Sequence, residues 1–374
     1  MTTLTAIGLM SPASVAGVDA AIITTDGQGV VEAGPSLHLP YSRDLKIWIR
    51  RAIKAAQEGR DGAADIGKAA GELTLAHVEA VEELLEQADL KRTGIDVIGF
   101  HGHTIFHRPA ASREDQGRSW QIGDGSVLAE EAKIDVVTSF RTEDVAEGGQ
   151  GAPLVPVYHQ ALAQSLDGDG PVGIITLGDD VSVTFAIREG RDAQVMAFDC
   201  GPGDELLDQW ATLKSGKAMS PDGSLARDGQ VRTEILRMMM LNPYLRRKPP
   251  KSLGQFDFKL DSLLELSASD GAATLTALSA ACVRLSEKHL PEEPKQWVVC
   301  GPGAENPSML EALKKALDAP VRLAGEAGWN SNFLDAECIG YLAVRSLKKL
   351  PLTYPQTTRA PRPIHGGLFF KAPI

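Results

Sequence analysis

One aspartate stands where a general base would be expected. Asp199 follows the apolar residues 195–198 and precedes Cys200-Gly201-Pro202-Gly203, which turn into a helix near Asp204. This pattern places a carboxylate at the end of a strand, beside a helix N-terminus. A general base needs such a fixed position, within hydrogen-bond reach of its proton source. A carboxylate that only caps the turn shows the same pattern, so the residues alone leave both roles open.

Glycine-containing turns recur along the chain. Residues 4–24 and 172–187 each read as strand, turn, strand, and residues 296–308 read as strand, glycine turn, helix. Small residues let a backbone approach a polyphosphate closely and donate N–H groups to it. Ordinary hairpins look alike at this level, so the turns are compatible with a phosphate site without requiring one.

Two histidines flank a glycine directly after an apolar strand. His101 and His103 follow residues 97–100, and ligands of open α/β sheets gather past the carboxyl ends of strands. Because no third ligand lies at a metal-binding spacing, hydrogen bonding is the favoured role, and we expect no metal ligand among the protein's residues.

The surrounding pattern is that of a mixed α/β protein. A helix is predicted over residues 66–88, a strand over 97–100, and a tail with little secondary structure after Leu350, where prolines are frequent. A chain of 374 residues with 43% hydrophobic residues exceeds what one compact core usually holds. We therefore expect two domains.

Charge and cysteine usage restrict the partners and the compartment. The formal net charge of −11 and the lack of Lys and Arg blocks argue against nucleic-acid and anionic-membrane surfaces and favour a small-molecule partner. The cysteines are widely spaced, which favours reduced thiols. No segment has the roughly 18 apolar residues of a membrane span. These features predict a cytoplasmic protein.

Several long motifs resemble the bacterial anhydro-N-acetylmuramic acid kinases over nearly the whole chain. They lie at residues 8–11, 17–21, 99–109, 120–124, 140–156, 198–203, 250–252, 270–275 and 350–353. The longest runs from Phe140-Arg141 through Asp144 to Gly148-Gly149-Gln150-Gly151-Ala152-Pro153 and on to Pro156. The length of this stretch makes the resemblance specific.

The resemblance implies a fold, a reaction and an arrangement of domains. It implies the two-domain actin-like ATPase fold, which is ribonuclease H-like, with a ligand cleft between the domains. Residues 1–145 with 348–374 would form one domain and residues 146–347 the other. Members of the family open the 1,6-anhydro ring of anhydro-N-acetylmuramic acid with water and phosphorylate O6, using ATP and Mg²⁺, in cell-wall recycling. A homodimer is also expected from the resemblance.

The resemblance also assigns roles to residues. Asp199 matches the base that activates water. Contacts to the sugar are implied for Thr104, Gln121, Arg141, Asp144 and Asp335. Contacts to the nucleotide are implied for Ser11, Pro12, Ala13, Ser14, Val15, Ala16, Gly17, Val18, Asp19, Gly178, Asp179, Gly201, Gly203, Gly301 and Gly303.

The nucleotide loops depart from the family pattern. Pro12 and Ala13 replace Gly and Thr, and Ala16 replaces Asp, so the first loop loses an N–H donor, a hydroxyl and a carboxylate. Asp179 and Asp180 replace uncharged residues in the second loop. Three alternatives follow: an active kinase with unusual loops, a paralogue that binds or hydrolyses an anhydro-sugar without phosphorylating it, and a regulatory pseudokinase.

Overall fold

The computed structural model describes residues 2–110, 115–188, 194–216, 222–253 and 257–373. Its strands are β1 (Leu4–Met10), β2 (Gly17–Thr25), β3 (Val31–Pro40), β4 (Val97–Phe100), β5 (His103–Arg108), β6 (Arg118–Ile122), β7 (Val136–Thr138), β8 (Pro171–Leu177), β9 (Asp180–Ile187), β10 (Met196–Pro202), β11 (Gln296–Cys300), β12 (Val321–Leu323) and β13 (Leu368–Phe370). Its α-helices are α1 (Arg43–Gln57), α2 (Ala64–Gln87), α3 (Gly125–Ala132), α4 (Thr142–Ala146), α5 (Pro156–Ala163), α6 (Asp204–Ser215), α7 (Ser224–Arg227), α8 (Thr233–Met239), α9 (Ala268–Ser286), α10 (Pro307–Ala316), α11 (Leu334–Leu347) and α12 (Pro355–Thr358).

The chain divides into two compact units. Unit 1 comprises Met1–Leu162 with Phe333–Ile374, and unit 2 comprises Ala163–Asn332. Compared with the predicted boundaries, residues 146–162 and 333–347 belong with unit 1. The physical reason for the second segment is that α11 packs on β1, β2 and β4 of the unit 1 sheet.

Each unit is built on a sheet, and five strands follow the same order in both: β3-β2-β1-β4-β7 in unit 1 corresponds to β10-β9-β8-β11-β12 in unit 2. In unit 1 the described residues form the order β13-β7-β4-β1-β2-β3, and in unit 2 the order β10-β9-β8-β11-β12. Both sheets contain an antiparallel three-stranded meander, β1–β3 or β8–β10. The first strand of each meander pairs in parallel with the next strand of the sheet, which pairs in parallel with one more: β4 and β7 in unit 1, and β11 and β12 in unit 2. This duplicated arrangement agrees with the predicted two-domain actin-like ATPase fold, which is confirmed.

The sequence explains why these strands are central. All four residues of β4 are buried, as are most residues of β8. Continuous apolar runs of this kind are typical of strands covered on both faces. The predicted helix over residues 66–88 corresponds to α2, and the predicted strand over 97–100 is β4. Among the described residues after Leu350, the helix is α12 and the strand is β13, which pairs with β7, and an isolated bridge joins Thr353 to Ile364.

Close packing of α11 on the unit 1 sheet depends on glycine. A Cβ atom built on Gly8 would lie 1.7 Å from the carbonyl oxygen of Ala336 and 2.5 Å from the backbone nitrogen of Gly340. We therefore expect Gly8→Ala to lower the free energy of unfolding by more than about 3 kcal/mol, since backbone must move to admit the methyl group. Urea unfolding followed by circular dichroism measures the change.

The matched control is Gly71→Ala. A Cβ on Gly71 meets nothing within 4 Å, and Gly71 lies inside α2. Alanine there is expected to stabilise the protein by about 0.5–1 kcal/mol through its higher helix propensity. Equal effects of the two substitutions would contradict the packing argument.

The cysteines agree with the prediction of reduced thiols. Cys200, Cys282, Cys300 and Cys338 are all free and buried. In the part of the chain that the structure describes, no helix is both long enough and apolar enough to cross a membrane.

Candidate functional site

Asp199 of unit 2 lies at an irregularity in β10. The register between β10 and β9 shifts between Asp199 and Gly201, and such bulges re-aim side chains. The backbone N–H of Asp199 donates to the carbonyl of Lys251 (3.0 Å), and the backbone N–H of Leu253 donates to Oδ2 of Asp199 (2.9 Å). No residue that the structure describes donates a hydrogen bond to Oδ1. One carboxylate oxygen is therefore held in place and the other is available.

The surroundings of Asp199 favour a base that works near neutral pH. Burial raises the pKa of Asp199 to about 6, against the opposing effects of the Leu253 N–H and the Lys251 ammonium. A carboxylate with this pKa is mostly ionised at pH 7 and is more basic than an ordinary aspartate. Tyr244 supports the same strand by donating its hydroxyl to the carbonyl of Asp199 (2.6 Å). This arrangement is suited to proton abstraction from water.

Three glycine turns of unit 2 meet beside the start of α6. A Cβ on Gly203 would lie 2.2 Å from the carbonyl oxygen of Gly178, and one on Gly303 would lie 2.4 Å from Oδ2 of Asp204. Gly301 has φ of +85°, and a Cβ built on it would lie 2.4 Å from the carbonyl oxygen of Leu177. The structure thus brings the predicted turns of unit 2 together. Gly201, by contrast, serves packing, because its Cβ would lie 2.6 Å from Cys282 of α9.

The amides of this junction are already used within the protein. The backbone N–H groups of Gly203 and Asp204 donate to the carbonyls of Asp179 (3.0 Å) and Gly178 (2.8 Å), and that of Glu205 donates to Asp179 (3.3 Å). Helix N-termini bind anions through such N–H groups when these are free. The N–H groups of Asp204 and Glu205, at the start of α6, are therefore not free to bind a phosphate.

Carboxylates surround the same junction. A cavity of about 290 Å³ beside it is lined by Asp179, Asp180 and Glu205, among others. Burial raises the pKa of Asp180 to about 7, and the charges of Asp199 and Glu205 raise it further. Burial also raises the pKa of Asp204 to about 6, with Asp208 and Asp179 adding to the effect. Repulsion among the carboxylates contributes to both pKa shifts after burial, and an added polyphosphate would increase this repulsion.

In unit 1, the first predicted phosphate loop connects β1 to β2. Its first residue, Ser11, is buried, and its Oγ accepts a hydrogen bond from the Tyr41 hydroxyl (2.6 Å) and lies 2.9 Å from Nδ1 of His103. Val15 has φ of +58°, a conformation that costs a β-branched residue energy. The exposed residues of the loop are Ala13 and Ser14. The loop is thus anchored at Ser11 and presents its middle to solvent.

The rest of this segment belongs to β2. Gly17 and Val18 are buried within the strand, and Ala16 accepts a backbone hydrogen bond from Tyr41 (3.0 Å). Asp19 binds Nδ1 of His38 at 2.6 Å. Burial raises the pKa of Asp19 in opposition to His38.

The predicted sugar-binding residues of unit 1 fall into two groups. Thr104 and Gln121 face each other on β5 and β6, and Nε2 of Gln121 donates to Oγ1 of Thr104 (3.1 Å) and to Oγ of Ser119 (2.8 Å). Arg141 donates from Nε to Nε2 of His101 (3.2 Å). Burial lowers the pKa of Arg141 to about 10, while Asp335 and Asp144 act in the opposite direction.

Asp144 has a different environment. Its Oδ2 accepts hydrogen bonds from the hydroxyls of Thr358 (2.6 Å) and Thr353, and its Oδ1 accepts from the backbone N–H of Gly151 (2.7 Å). This buried carboxylate joins the glycine-rich loop to the C-terminal segment. Its capacity to accept further hydrogen bonds is largely used within the protein, so a supporting role explains its contacts better than a direct contact with sugar.

Removal of the Asp144 carboxylate is expected to destabilise unit 1. We expect Asp144→Ala to lower the free energy of unfolding by at least about 3 kcal/mol, because two buried hydroxyls and one N–H lose a charged acceptor. The control is Glu143→Ala, at an exposed neighbouring position. Urea denaturation measures the free energy of unfolding of both variants. A decrease below about 1 kcal/mol for Asp144→Ala would contradict the supporting role of Asp144.

Sequence reasoning missed the residues that support the site. Lys251 and Leu253 hold Asp199 through their backbone, yet they lie about fifty positions away and carry no chemical signal for this role. Tyr41 orders Ser11 from thirty positions away. The one sequence signal for these supporting residues was the presence of Lys251 in the family motif at 250–252. Among the described residues no cluster of His, Cys, Asp and Glu is arranged to hold a metal ion.

Comparisons with known proteins match the chain to a family. The family model for anhydro-N-acetylmuramic acid kinase matches residues 4–372. The anhydro-N-acetylmuramic acid kinase of Nitrobacter winogradskyi is 42% identical over 371 residues, covering 98% of this chain and 99% of the relative. That of Agrobacterium fabrum is 43% identical over 376 residues, with the same coverage.

Solved structures show weaker similarity. The ROK hexokinase from Thermus thermophilus is 15% identical, with a TM-score of 0.39, and the match covers 91% of this chain and all of that one. A TM-score this low supports no inference about function, so the assignment rests on the sequence relatives. With a family model matched over almost its full length and relatives above 40% identity, the chain belongs to the anhydro-N-acetylmuramic acid kinase family.

Proposed function

We propose that this protein hydrolytically opens the 1,6-anhydro ring of anhydro-N-acetylmuramic acid and phosphorylates O6, with Asp199 as the base. The observation that carries the proposal is the environment of Asp199, a partly buried carboxylate with one oxygen held by Leu253 and a pKa raised to about 6. Family membership supplies the substrate and the overall reaction. Cell-wall recycling is the corresponding process.

Ring opening adds one water across the 1,6-anhydro bridge. Asp199 accepts a proton from water as the water oxygen bonds to the anomeric carbon. The bond between that carbon and the bridging O6 breaks, and O6 gains one proton as Asp199 gives up the one that it accepted, so the net change is addition of one water. Thr104, Gln121 and Arg141 are proposed to hold the sugar. Asp144 would act indirectly, by ordering the glycine-rich loop.

The turns of unit 2 fit a triphosphate poorly. The first-turn amides of α6 donate to Gly178 and Asp179, and Asp204 occupies the space beside Gly303. We therefore propose that ATP, with Mg²⁺, binds weakly. When bound, ATP supplies the γ-phosphoryl group that O6 accepts, and the residues proposed to hold it are those of the 11–19 segment and the glycine turns.

Product analysis tests the proposal. Purified protein is incubated with anhydro-N-acetylmuramic acid, with and without ATP and Mg²⁺, and products are separated by mass. We expect N-acetylmuramic acid 6-phosphate when ATP is present at millimolar concentration. Formation of unphosphorylated N-acetylmuramic acid alone would identify a hydrolase without kinase activity. Absence of any product would overturn the proposal and favour a regulatory role.

The partner and the compartment are also proposals. A small sugar is the proposed partner, and the acidic net charge of −11 argues against nucleic acid. The homodimer is expected from the resemblance to the family, and the cytoplasmic location from the sequence features. Light scattering coupled to gel filtration tests the dimer, whose expected mass is twice the 39.9 kDa of one chain.

A further inference from the structure

The hairpin of β9 and β10 in unit 2 has one apolar face and one polar face. The residues of its apolar face are buried in the core of unit 2: Val181, Val183, Phe198 and Cys200. Asp180, Ser182 and Asp199 alternate with these residues along the two strands, and each is partly exposed. Successive side chains of a strand point to opposite faces of the sheet. The three polar side chains therefore share the face that the core leaves uncovered.

The strand register makes Asp180 and Asp199 diagonal neighbours on this face. Asp199 pairs directly with Ser182, and Asp180 lies two positions before Ser182 on the same strand. Diagonal neighbours across an antiparallel pair lie roughly 7–8 Å apart. Two carboxyl groups about 6.5–9.5 Å apart leave room for a water molecule between the reacting groups of a glycosidic bond. The hairpin thus provides a spacing that suits hydrolysis with one acid and one base.

Charge coupling agrees with this placement. Burial raises the pKa of Asp180 to about 7, and among the charges that add to this effect that of Asp199 is the largest. The other charged groups that act on Asp180 are Glu205 of α6, Asp179 of the preceding turn and Asp257. All of them are acidic, so none favours ionisation of Asp180. The negative charge of Asp199 therefore helps Asp180 to keep its proton.

The contacts of the two carboxyl groups distinguish the acid from the base. The Leu253 N–H donates to Oδ2 of Asp199 (2.9 Å), and the Lys251 ammonium also favours the ionised form of Asp199. No described residue donates a hydrogen bond to the side chain of Asp180. A carboxyl group without donors or a nearby cation keeps its proton to a higher pH. Pairs whose environments separate their pKa values in this way are suited to acid and base roles.

Asp180 also borders space that a ligand can enter. The cavity of about 290 Å³ beside α6 is lined by Asp180 and by Leu253. Because the N–H of Leu253 holds Asp199, the wall of this cavity is connected directly to the proposed base. Asp180 is thus accessible to a bound ligand and lies on the same hairpin face as Asp199.

We propose that Asp180 is a catalytic general acid that protonates O6, so that this protein also opens the 1,6-anhydro ring by hydrolysis without ATP. Asp199 takes a proton from water as the water oxygen bonds to the anomeric carbon. The bond from that carbon to O6 breaks, and Asp180 transfers its proton to O6. Asp199 then returns its proton to Asp180, so one water is added and both groups regain their starting states.

This inference rests on the proposed function, because it uses the same substrate and the same base. With ATP bound, O6 takes the γ-phosphoryl group and needs no proton from Asp180. Asp180 replaces an uncharged residue of the family pattern. The substitution that adds negative charge to the second nucleotide loop would therefore supply the proton that hydrolysis requires.

The reaction without ATP should have its own pH profile. Single-turnover formation of N-acetylmuramic acid from anhydro-N-acetylmuramic acid is measured from pH 5 to 9. Because Asp199 must be ionised and Asp180 protonated, the rate should be highest between pH 6 and 7 and fall on both sides. With ATP and Mg²⁺ at millimolar concentration, the decrease on the alkaline side should disappear. A profile without ATP that shows no alkaline decrease would overturn the acid role.

Asp180→Asn removes the transferable proton and retains the shape of the side chain. We expect hydrolysis without ATP to fall by roughly 10²-fold or more, the usual contribution of a general acid. The remaining rate should lose its alkaline decrease, and phosphorylated product should still form with ATP. The matched control is Asp208→Asn, at an exposed position of α6, which should keep the parental rate and profile. Parental hydrolysis without ATP in Asp180→Asn would overturn the proposal. Thermal unfolding checks that both variants are folded at the assay temperature.

Nuclear magnetic resonance tests the carboxyl pair independently of turnover. Carboxyl ¹³C resonances of the intact protein, labelled at aspartate, are assigned with Asp180→Asn and Asp199→Asn and followed with pH. Asp180 should titrate near pH 7 in the parent and at lower pH in Asp199→Asn, because the neighbouring negative charge is removed. An unchanged titration of Asp180 would show that the two groups are uncoupled and would overturn the proposal.

Product analysis separates failure of this inference from failure of the proposed function. Product that forms only when ATP is present would mean that the acid role of Asp180 is wrong and that the proposed function stands. Absence of ring-opened product both with and without ATP, in a protein whose carboxyl pair titrates as expected, would mean that the proposed function is wrong. Hydrolysis without ATP that depends on Asp180 would support both.

Discussion

Replacing Asp199 by Asn is expected to reduce ring opening by roughly 10²–10⁴-fold, the usual contribution of a general base. The amide retains the shape of the side chain and can still accept the Leu253 N–H through its oxygen, but it cannot take a proton from water. Binding of anhydro-N-acetylmuramic acid should change little. Single-turnover product formation at high enzyme concentration measures the rate, and calorimetric titration measures binding.

The pH dependence gives a second view of the same group. Because the base must be ionised and its pKa is about 6, the rate should fall as the pH drops through 6 and level off above pH 7. Asp199→Asn should abolish this dependence. The control is Asp228→Asn at an exposed position of unit 2, which should retain both rate and pH profile. A parental rate in Asp199→Asn would remove Asp199 from the mechanism.

Restoring the nucleotide loops is expected to strengthen ATP binding by roughly 10²-fold. Pro12→Gly returns an N–H, Ala13→Thr a hydroxyl and Ala16→Asp a carboxylate, while Asp179→Gly removes a negative charge beside the start of α6. Each charge-assisted hydrogen bond contributes about 1.5–3 kcal/mol, and each like-charge contact costs on the order of 1–4 kcal/mol. Even a fraction of these energies changes affinity more than tenfold. Calorimetric titration with ATP and Mg²⁺ measures the change.

The carboxylates of unit 2 also predict how the affinity for ATP changes with pH. Asp180, with a pKa of about 7, and Asp204, with a pKa of about 6, gain negative charge as the pH rises from 6 to 8. ATP binding should therefore weaken over this range. Phosphate itself titrates near pH 6, so Asp180→Asn is the reference, and its pH dependence should be smaller than that of the parent.

A matched control separates local from overall charge. Asp261→Asn removes one negative charge at an exposed position elsewhere in unit 2 and should leave ATP affinity unchanged. Micromolar binding of ATP to the parent protein, with turnover, would show that the altered loops are tolerated. In that case the weak-binding prediction is wrong and the kinase assignment stands without reservation.

Family membership, the fold class and the central strands were accessible without coordinates. Apolar runs such as 97–100 and 172–177 have few alternatives to buried strands, and the long motifs are specific because many positions must match together. The sequence pattern predicted Asp199 at a strand end, and this prediction is wrong, because β10 continues to Pro202 and Asp199 lies within it, at a bulge. The pKa of Asp199 was not accessible from the pattern either, because burial and the Leu253 N–H arise from segments far along the chain.

The roles of individual polar residues depended on tertiary contacts. Asp144 looked like a ligand contact and proves to be surrounded by protein donors, since Thr353 and Thr358 lie more than two hundred positions away. His101 and His103 looked equivalent, and only the structure shows that His101 contacts Arg141 and His103 contacts Ser11. Sequence determines which groups are present and which strands are buried, through local and periodic signals. Hydrogen-bond partners, burial and pKa values are set by distant segments, and only the folded structure brings these together.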